Sequence, residues 1–176
     1  MVIRKPLPSR ENAANPYKID RGSAKVLLRG QLKGLEGFWL MVRGQKKRYG
    51  LAEGVGGGIE AEDDWNPLLA VIRETEEECG LKMIVAELDD SLELYREFSD
   101  HKMHRVGQHV YIRPNTQRDE LHLTEECIDF GFYSDEALKK YLIAWNNLDE
   151  KEIVTFHRST KLPPLTNSCL MVMYMY

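Results

Sequence analysis

Apolar residues in this chain recur with two periods, and the change from one to the other marks its elements. Ala24-Lys25-Val26-Leu27-Leu28-Arg29 and Phe38-Trp39-Leu40-Met41-Val42-Arg43 are short apolar runs separated by the turn-rich residues 30–37, which predicts two strands. Gly44-Gln45 then turns the chain into Lys46-Lys47-Arg48-Tyr49, predicting a hairpin that carries three adjacent basic residues. Further strands are expected over 82–86, over 92–98, where apolar residues alternate, and over 105–112, before Pro114. A polar loop follows over 115–123, and residues 124–133 lead into a second helical stretch.

The helical period first appears at Leu68. Asn66 is a good N-cap, Pro67 suits the first helical position, and Gly80 can close the other end in the left-handed conformation, which predicts a helix over 67–79. Leu68, Leu69, Ile72 and Cys79 form the side expected to be buried. A second amphipathic helix should start after Ser134, with Leu138, Tyr141, Leu142 and Trp145 at i, i+3, i+4 and i+7. A short third helix is expected over 151–160, before Pro163-Pro164. Strands on both sides of a central helix, without regular alternation, predict an α/β (α+β) domain with a mixed sheet.

The two ends read differently. Residues 1–22 are polar and broken by Pro6, Pro8 and Pro16, an arm preceding one domain over 23–176. Leu170-Met171-Val172-Met173-Tyr174-Met175-Tyr176 is apolar and should pack on the core or on another subunit, so either end could serve a homodimer.

A length of 176 residues suits one domain, with 43% hydrophobic and 30% charged residues. The net charge of −4 excludes a general binder of nucleic-acid polymers or acidic membranes, though not of a nucleotide. Cys79, Cys127 and Cys169 show neither disulfide nor zinc spacing and read as reduced thiols. With no signal-like segment and no membrane-length apolar run, the expected compartment is the cytoplasm. His101 and His104 lack further ligands nearby and read as polar loop residues.

Candidate chemistry lies on the first helix. Glu74, Glu77 and Glu78 fall at i, i+3 and i+4, so three carboxylates share one face, with Arg73 able to pair with Glu77. A divalent cation would relieve their repulsion, and oxygen-only ligands select Mg²⁺ or Mn²⁺. Acidic helices are more often simply solvated, but the run Gly56-Gly57-Gly58 just upstream lets backbone approach a ligand beside these acids.

Together the glycine run and Arg73-Glu74-Thr75-Glu76-Glu77-Glu78-Cys79-Gly80-Leu81 resemble the Nudix box, G-x5-E-x7-R-E-U-x-E-E-x-G-U with U aliphatic. Thr75 replaces an aliphatic residue, and the loop from Gly58 to Pro67 is about two residues longer than the pattern. Asp64 or Asp63 could stand for the first box Glu; the shorter path to Pro67 favours Asp64, and Glu60 matches a loop Glu common in the family. The resemblance implies an α/β/α sandwich and a Mg²⁺- or Mn²⁺-dependent hydrolase of phosphorus anhydrides. Its substrate would be a nucleoside diphosphate linked to another moiety.

By the same resemblance Glu74, Glu77, Glu78 and the carbonyl of Gly57 or Gly58 would hold metal, and Arg73 would orient a carboxylate. The base would be Glu77, Glu78 or a late-loop acid, Glu125 or Glu126, with Glu120 behind them. Gly57, Gly58, Arg43 and Lys46 are the candidate substrate contacts. A turnover-free nucleotide-binding module on the same fold is the alternative. A dinucleotide or P-loop fold finds no complete motif.

Overall fold

The first long strand, Arg21–Leu32, pairs with three others along its length, and the rest of the sheet is built out from it. The computed structural model describes residues 21–46, 48–98, 104–147, 149–166, 169–170 and 172–173. Their elements are β1 (Arg21–Leu32), β2 (Leu35–Arg43), β3 (Ala52–Glu53), β4 (Val55–Gly58), α1 (Pro67–Cys79), β5 (Asp89–Phe98), β6 (His104–Arg113), β7 (Cys127–Ser134), α2 (Asp135–Asn146) and α3 (Glu150–Thr160). The sheet runs β3-β2-β1-β6-β5, with β4 added to β1 and β7 to β2. β1 and β6 are parallel and the other pairings antiparallel, so the sheet is mixed as expected.

Both faces of this sheet are covered, which follows from alternation along its strands. Ala24, Val26 and Leu28 of β1 join Trp39, Met41, Tyr111 and Phe130 in a core under α1. Leu27, Phe38, Leu40, Val110, Ile112 and Tyr133 point the other way, into a core closed by Leu138 and Tyr141 of α2 and by Leu165, Leu170, Val172 and Met173. The described part of the apolar C-terminal stretch therefore packs on the core. The expected arm lies mostly outside the described residues, as do His101 and Met103; Arg21 and Gly22 belong to β1.

Helix ends match their local signals closely. Asn66 accepts from Leu68 N at 2.9 Å, Pro67 opens α1, and Gly80 closes it at φ 66°. Ser134 caps α2 through Ala137 N at 3.2 Å. α3 starts at Glu150 under an Asp149 cap.

Three expectations change. Residues 46 and 48–50 are turn rather than the return strand of a hairpin, and the short β3 pairs with β2 in their place. Residues 82–86 form no strand; a 3-10 turn over Val85–Glu87 precedes β5. On α1 the buried stripe is Ala70, Val71, Thr75, Glu78 and Cys79, whereas Leu69 is exposed and Leu68 and Ile72 are only partly covered. Contact of the helix with the glycine strand β4, through Glu78 on Gly56 N and Glu74 against Gly57, goes with a rotation that brings small side chains rather than the leucines against the sheet.

Gly56 shows how tight that junction is. Its φ is +138°, and a Cβ there would overlap Ala24 O and sit 2.8 Å from Lys25 Cα in the paired strand. Gly56→Ala is expected to cost at least about 2 kcal/mol, from backbone strain and overpacking together. Thermal melting should show a loss of roughly 4–8 °C.

Candidate active site

The carboxylates of α1 share a helix face but occupy three different environments. Glu77 is open to solvent and Glu74 is largely covered by the glycine strand. Glu78 is buried, its Oε2 accepting from Gly56 N at 2.8 Å. Burial pushes the carboxyls of both Glu74 and Glu78 above their ordinary range, against the pull of Arg73 on the first and Arg43 on the second.

Arg73 is the hub on the outer side. Its Nε and Nη2 each lie 2.9 Å from a different oxygen of Asp63, its Nη1 reaches Glu74 at 3.0 Å and Glu77 at 3.1 Å, and its Nη2 also donates to Gly58 O at 3.2 Å. The Glu77 contact is the i, i+4 pair expected from sequence. The hydrogen-bonded partner from the loop is Asp63, buried and additionally accepting from Glu60 N at 3.0 Å, with the exposed Glu62 a looser ion pair 3.6 Å from Nε; it is not Asp64, which is exposed at φ 51°. Counting forward from Gly57 rather than back from Arg73 finds it, because Gly57-x5-Asp63 keeps the box spacing. The extra residues are then Asp64 and Trp65, both at positive φ. Glu60 is exposed and starts the 3-10 turn over Ala61–Asp63.

Arg43 is the hub on the inner side. It is buried, with Nη1 on Glu78, Nε 3.1 Å from Glu53 Oε1, and Nη1 3.8 Å from Glu126 Oε2. The guanidinium thus faces carboxylates inside the fold. Lys46 stands exposed in the turn after β2. Glu53 had no signal in the sequence beyond its place before the glycines, yet its side chain is one of the largest that is fully buried.

The late loop is tied directly to the end of α1. Thr124 Oγ1 donates to Glu78 O at 2.6 Å and accepts from Glu126 N and Cys127 N, while Gly44 N donates to Glu126 O at 2.8 Å. Glu126 is thereby carried to Arg43 and Glu78. Glu125 is exposed beside it. Glu120 instead pairs with Arg113 at 2.8 Å, a partner that holds its carboxyl below the usual range.

Among the described residues, no three acidic, histidine or cysteine side chains are arranged around one ion position. In donor type the residues nevertheless fit a hard divalent cation: Glu74, Glu77, Glu78 and the Gly57 and Gly58 carbonyls are all oxygen donors. Two of these carboxyls, Glu74 and Glu78, are held above their ordinary range by burial. Close approach of the glycine backbone to Glu74 is built in, since a Cβ on Gly57 would fall 2.6 Å from Glu74 Oε1. Gly57→Ala should therefore displace the Glu74 carboxylate, the movable partner, and leave the core alone. Turnover is expected to fall roughly tenfold or more with little change in melting temperature, read by steady-state assay and thermal melting of the same sample.

Residues 21–155 match the model of the NUDIX domain. Among solved structures the chain is similar to the NUDIX hydrolase from Alicyclobacillus acidocaldarius, at 12% identity over 91% of each chain and a TM-score of 0.58. It is also similar to the NUDIX domain of Shewanella oneidensis NrtR, solved with ADP ribose, at 13% identity over 96% of each chain and a TM-score of 0.55. A MutT/nudix family protein from Enterococcus faecalis aligns with 74% of this chain at 16% identity and a TM-score of 0.54; this chain spans about half, 47%, of that protein. No curated protein matches the sequence.

Proposed function

Because this chain belongs to the NUDIX domain family, we propose that it is a divalent-metal-dependent hydrolase of a pyrophosphate bond in a nucleoside diphosphate linked to another moiety. The observation that carries this reading is the meeting of Glu74, Glu77, Glu78, Gly57 and the late-loop Glu126 around two arginines at the end of α1. Glu74, Glu77 and Glu78, with a carbonyl of Gly57 or Gly58, would hold Mg²⁺ or Mn²⁺. When bound, the ion neutralises phosphate oxygens and makes a coordinated water more acidic.

The chain's own residues do the rest. Arg73 fixes the directions of Glu74 and Glu77 while anchored on Asp63. Arg43 fixes Glu78 within the fold. A carboxylate takes the proton of the attacking water, and among the acids open for that role Glu126 stands nearest to Arg43 across the late loop. Among the described residues no helix is long and apolar enough to cross a membrane, and the partner in this reading is a small molecule of nucleotide type.

A panel of nucleotide sugars including ADP-ribose, dinucleoside polyphosphates, oxidised nucleotides and coenzymes tests the proposal, with Mg²⁺ and Mn²⁺ compared. Metal-dependent release of a nucleoside monophosphate or pyrophosphate from one class is the expected result. One observation favours a second reading, binding without turnover: the loop ahead of α1 carries two residues more than the box, Asp64 and Trp65, both at positive φ. In that case the panel yields saturable binding and no product.

The metal requirement has its own check. A cation that binds only the folded acidic cluster stabilises it by mass action, so millimolar Mg²⁺ or Mn²⁺ should raise the melting midpoint and chelator should reverse the rise. An unchanged midpoint and unchanged activity would remove the metal from the mechanism.

A further inference from the structure

Glu53 lies outside the box, is 1% exposed, and is met by three cations. Lys25 Nζ lies 2.7 Å from Oε2, Arg43 Nε 3.1 Å from Oε1, and Arg48 Nη1 3.2 Å from Oε1. The Thr166 hydroxyl is 3.4 Å from Oε2. Through Arg43 the chain of charges continues to Glu78 and towards Glu126. Lys25, Arg43 and Arg48 thus face Glu53, Glu78 and Glu126, three charges of each sign, and Arg43 links the buried acid to the acid on α1.

We propose that Glu53 is a positioning residue of this site, holding the Arg43 guanidinium in the direction that fixes Glu78. Geometry gives the reason. An arginine held only by Glu78 can rotate about its outer bonds and carry the carboxylate with it. With Nη1 hydrogen-bonded to Glu78 and Nε 3.1 Å from Glu53 Oε1 as an ion pair without hydrogen-bond alignment, the guanidinium is held between two carboxylates, by a directed bond on one side and by charge on the other. For stability alone an apolar pair of similar volume would often do as well as buried ions; what the ionic arrangement adds is direction. β3 supplies the anchor because Glu53 pairs with Met41, two residues before Arg43, and because it immediately precedes the glycine strand that donates Gly56 N to the same Glu78. This inference rests on the proposed hydrolase reading for its consequence in rate, though not for the contact itself.

Two readouts test it. In Glu53→Gln, kcat is expected to fall at least about tenfold with KM within about threefold, because the substrate itself is not touched. Arg43→Lys, which keeps the charge and loses the fork, should show a similar loss, and the double variant should be no worse than the worse single one. Arg48→Ala removes a cation from Glu53 without touching Glu78 and should leave kcat within about twofold. Independently of turnover, the Arg43 Nε–H resonance of ¹⁵N-labelled protein should shift in Glu53→Gln, because a carboxylate charge 3.1 Å from Nε is removed.

Should Glu53→Gln fail to fold because Lys25 is left unpaired, the neutral pair Lys25→Met with Glu53→Gln carries the same expectations. Any one of four results overturns the proposal: kcat within about twofold of the parent, an unmoved Arg43 resonance, losses that multiply in the double variant, or an equal loss in Arg48→Ala. If the parent turns over nothing on the nucleotide panel, the hydrolase reading fails by itself, and the resonance decides the Glu53–Arg43 contact alone.

Discussion

Replacing Glu78 with glutamine is expected to slow turnover at least about a hundredfold while the protein still folds, and Glu77→Gln is expected to do the same. Both changes nearly keep side-chain volume and remove one charge from the acidic face. Their effects on stability should differ, because the environments do. Glu77 is 60% exposed on Arg73, so its loss should stay within about 0.5 kcal/mol. Glu78 is buried on Arg43 and Gly56 N, and glutamine leaves Arg43 with Glu53 as its main counter-charge, costing about 1–3 kcal/mol. Activity at saturating metal together with thermal melting separates the two terms. Near-parental turnover in both variants would remove the acidic face from the mechanism.

Asp63→Asn is the second large effect, and it should single out one acid of the loop. Asparagine can offer Arg73 only one acceptor oxygen where Asp63 offers two at 2.9 Å, so about 2–3 kcal/mol of stability should go. Freed on that side, Arg73 can no longer hold Glu74 and Glu77 in fixed directions, and turnover should fall roughly tenfold or more. The same changes at Glu60, Glu62 and Asp64 should be close to neutral, all three being exposed. The two hydrogen bonds from Arg73 also hold the Asp63 carboxyl below its usual range. A depressed value means that the stabilisation is complete above the unfolded pKa of about 3.9 and is lost as pH falls through the folded one. The gap in melting temperature between parent and variant should therefore be full from pH 5 to 8 and close below about pH 4. A gap that persists unchanged at pH 3, or turnover lost at Asp64 and kept at Asp63, would place the loop's anchor elsewhere.

Asp63 and Asp64 also show how far the chain could be read without its fold. Both are acids just ahead of α1, and proximity to Pro67 favours Asp64. The choice depends on Asp64 and Trp65 taking left-handed backbone, which folds the two extra residues outward and returns Asp63 to Arg73. Two successive non-glycine residues at positive φ are not something their identities announce, and a tertiary contact has to compensate for the strain. The basic run after β2 misled for a similar reason. It resembled a return strand, but Arg48 is drawn onto Glu53, and the return pairing falls later, at Ala52–Glu53.

What the sequence determined by itself is what short-range energies decide. Asn66, Pro67 and Gly80 delimit α1 because capping, proline geometry and left-handed glycine act within one helical turn, and the Arg73–Glu77 pair follows from the helical repeat alone. The mixed sheet was legible from the spacing of apolar runs around that helix, and the run from Arg73 to Leu81 with the glycines upstream was enough for the family resemblance despite the lengthened loop. Tertiary structure alone decided which way the charges point. Arg43, Glu53 and Lys25 come from three strands, and they meet because the sheet registers Glu53 with Met41 and Lys25 with Gly56. The rotation of α1 that buries Glu78 and leaves Leu69 outside likewise goes with its contacts on the glycine strand. No residue carries that register in its own preferences; it is the sum of pairings along whole strands, and a shift of one position would turn each of these side chains to the opposite face.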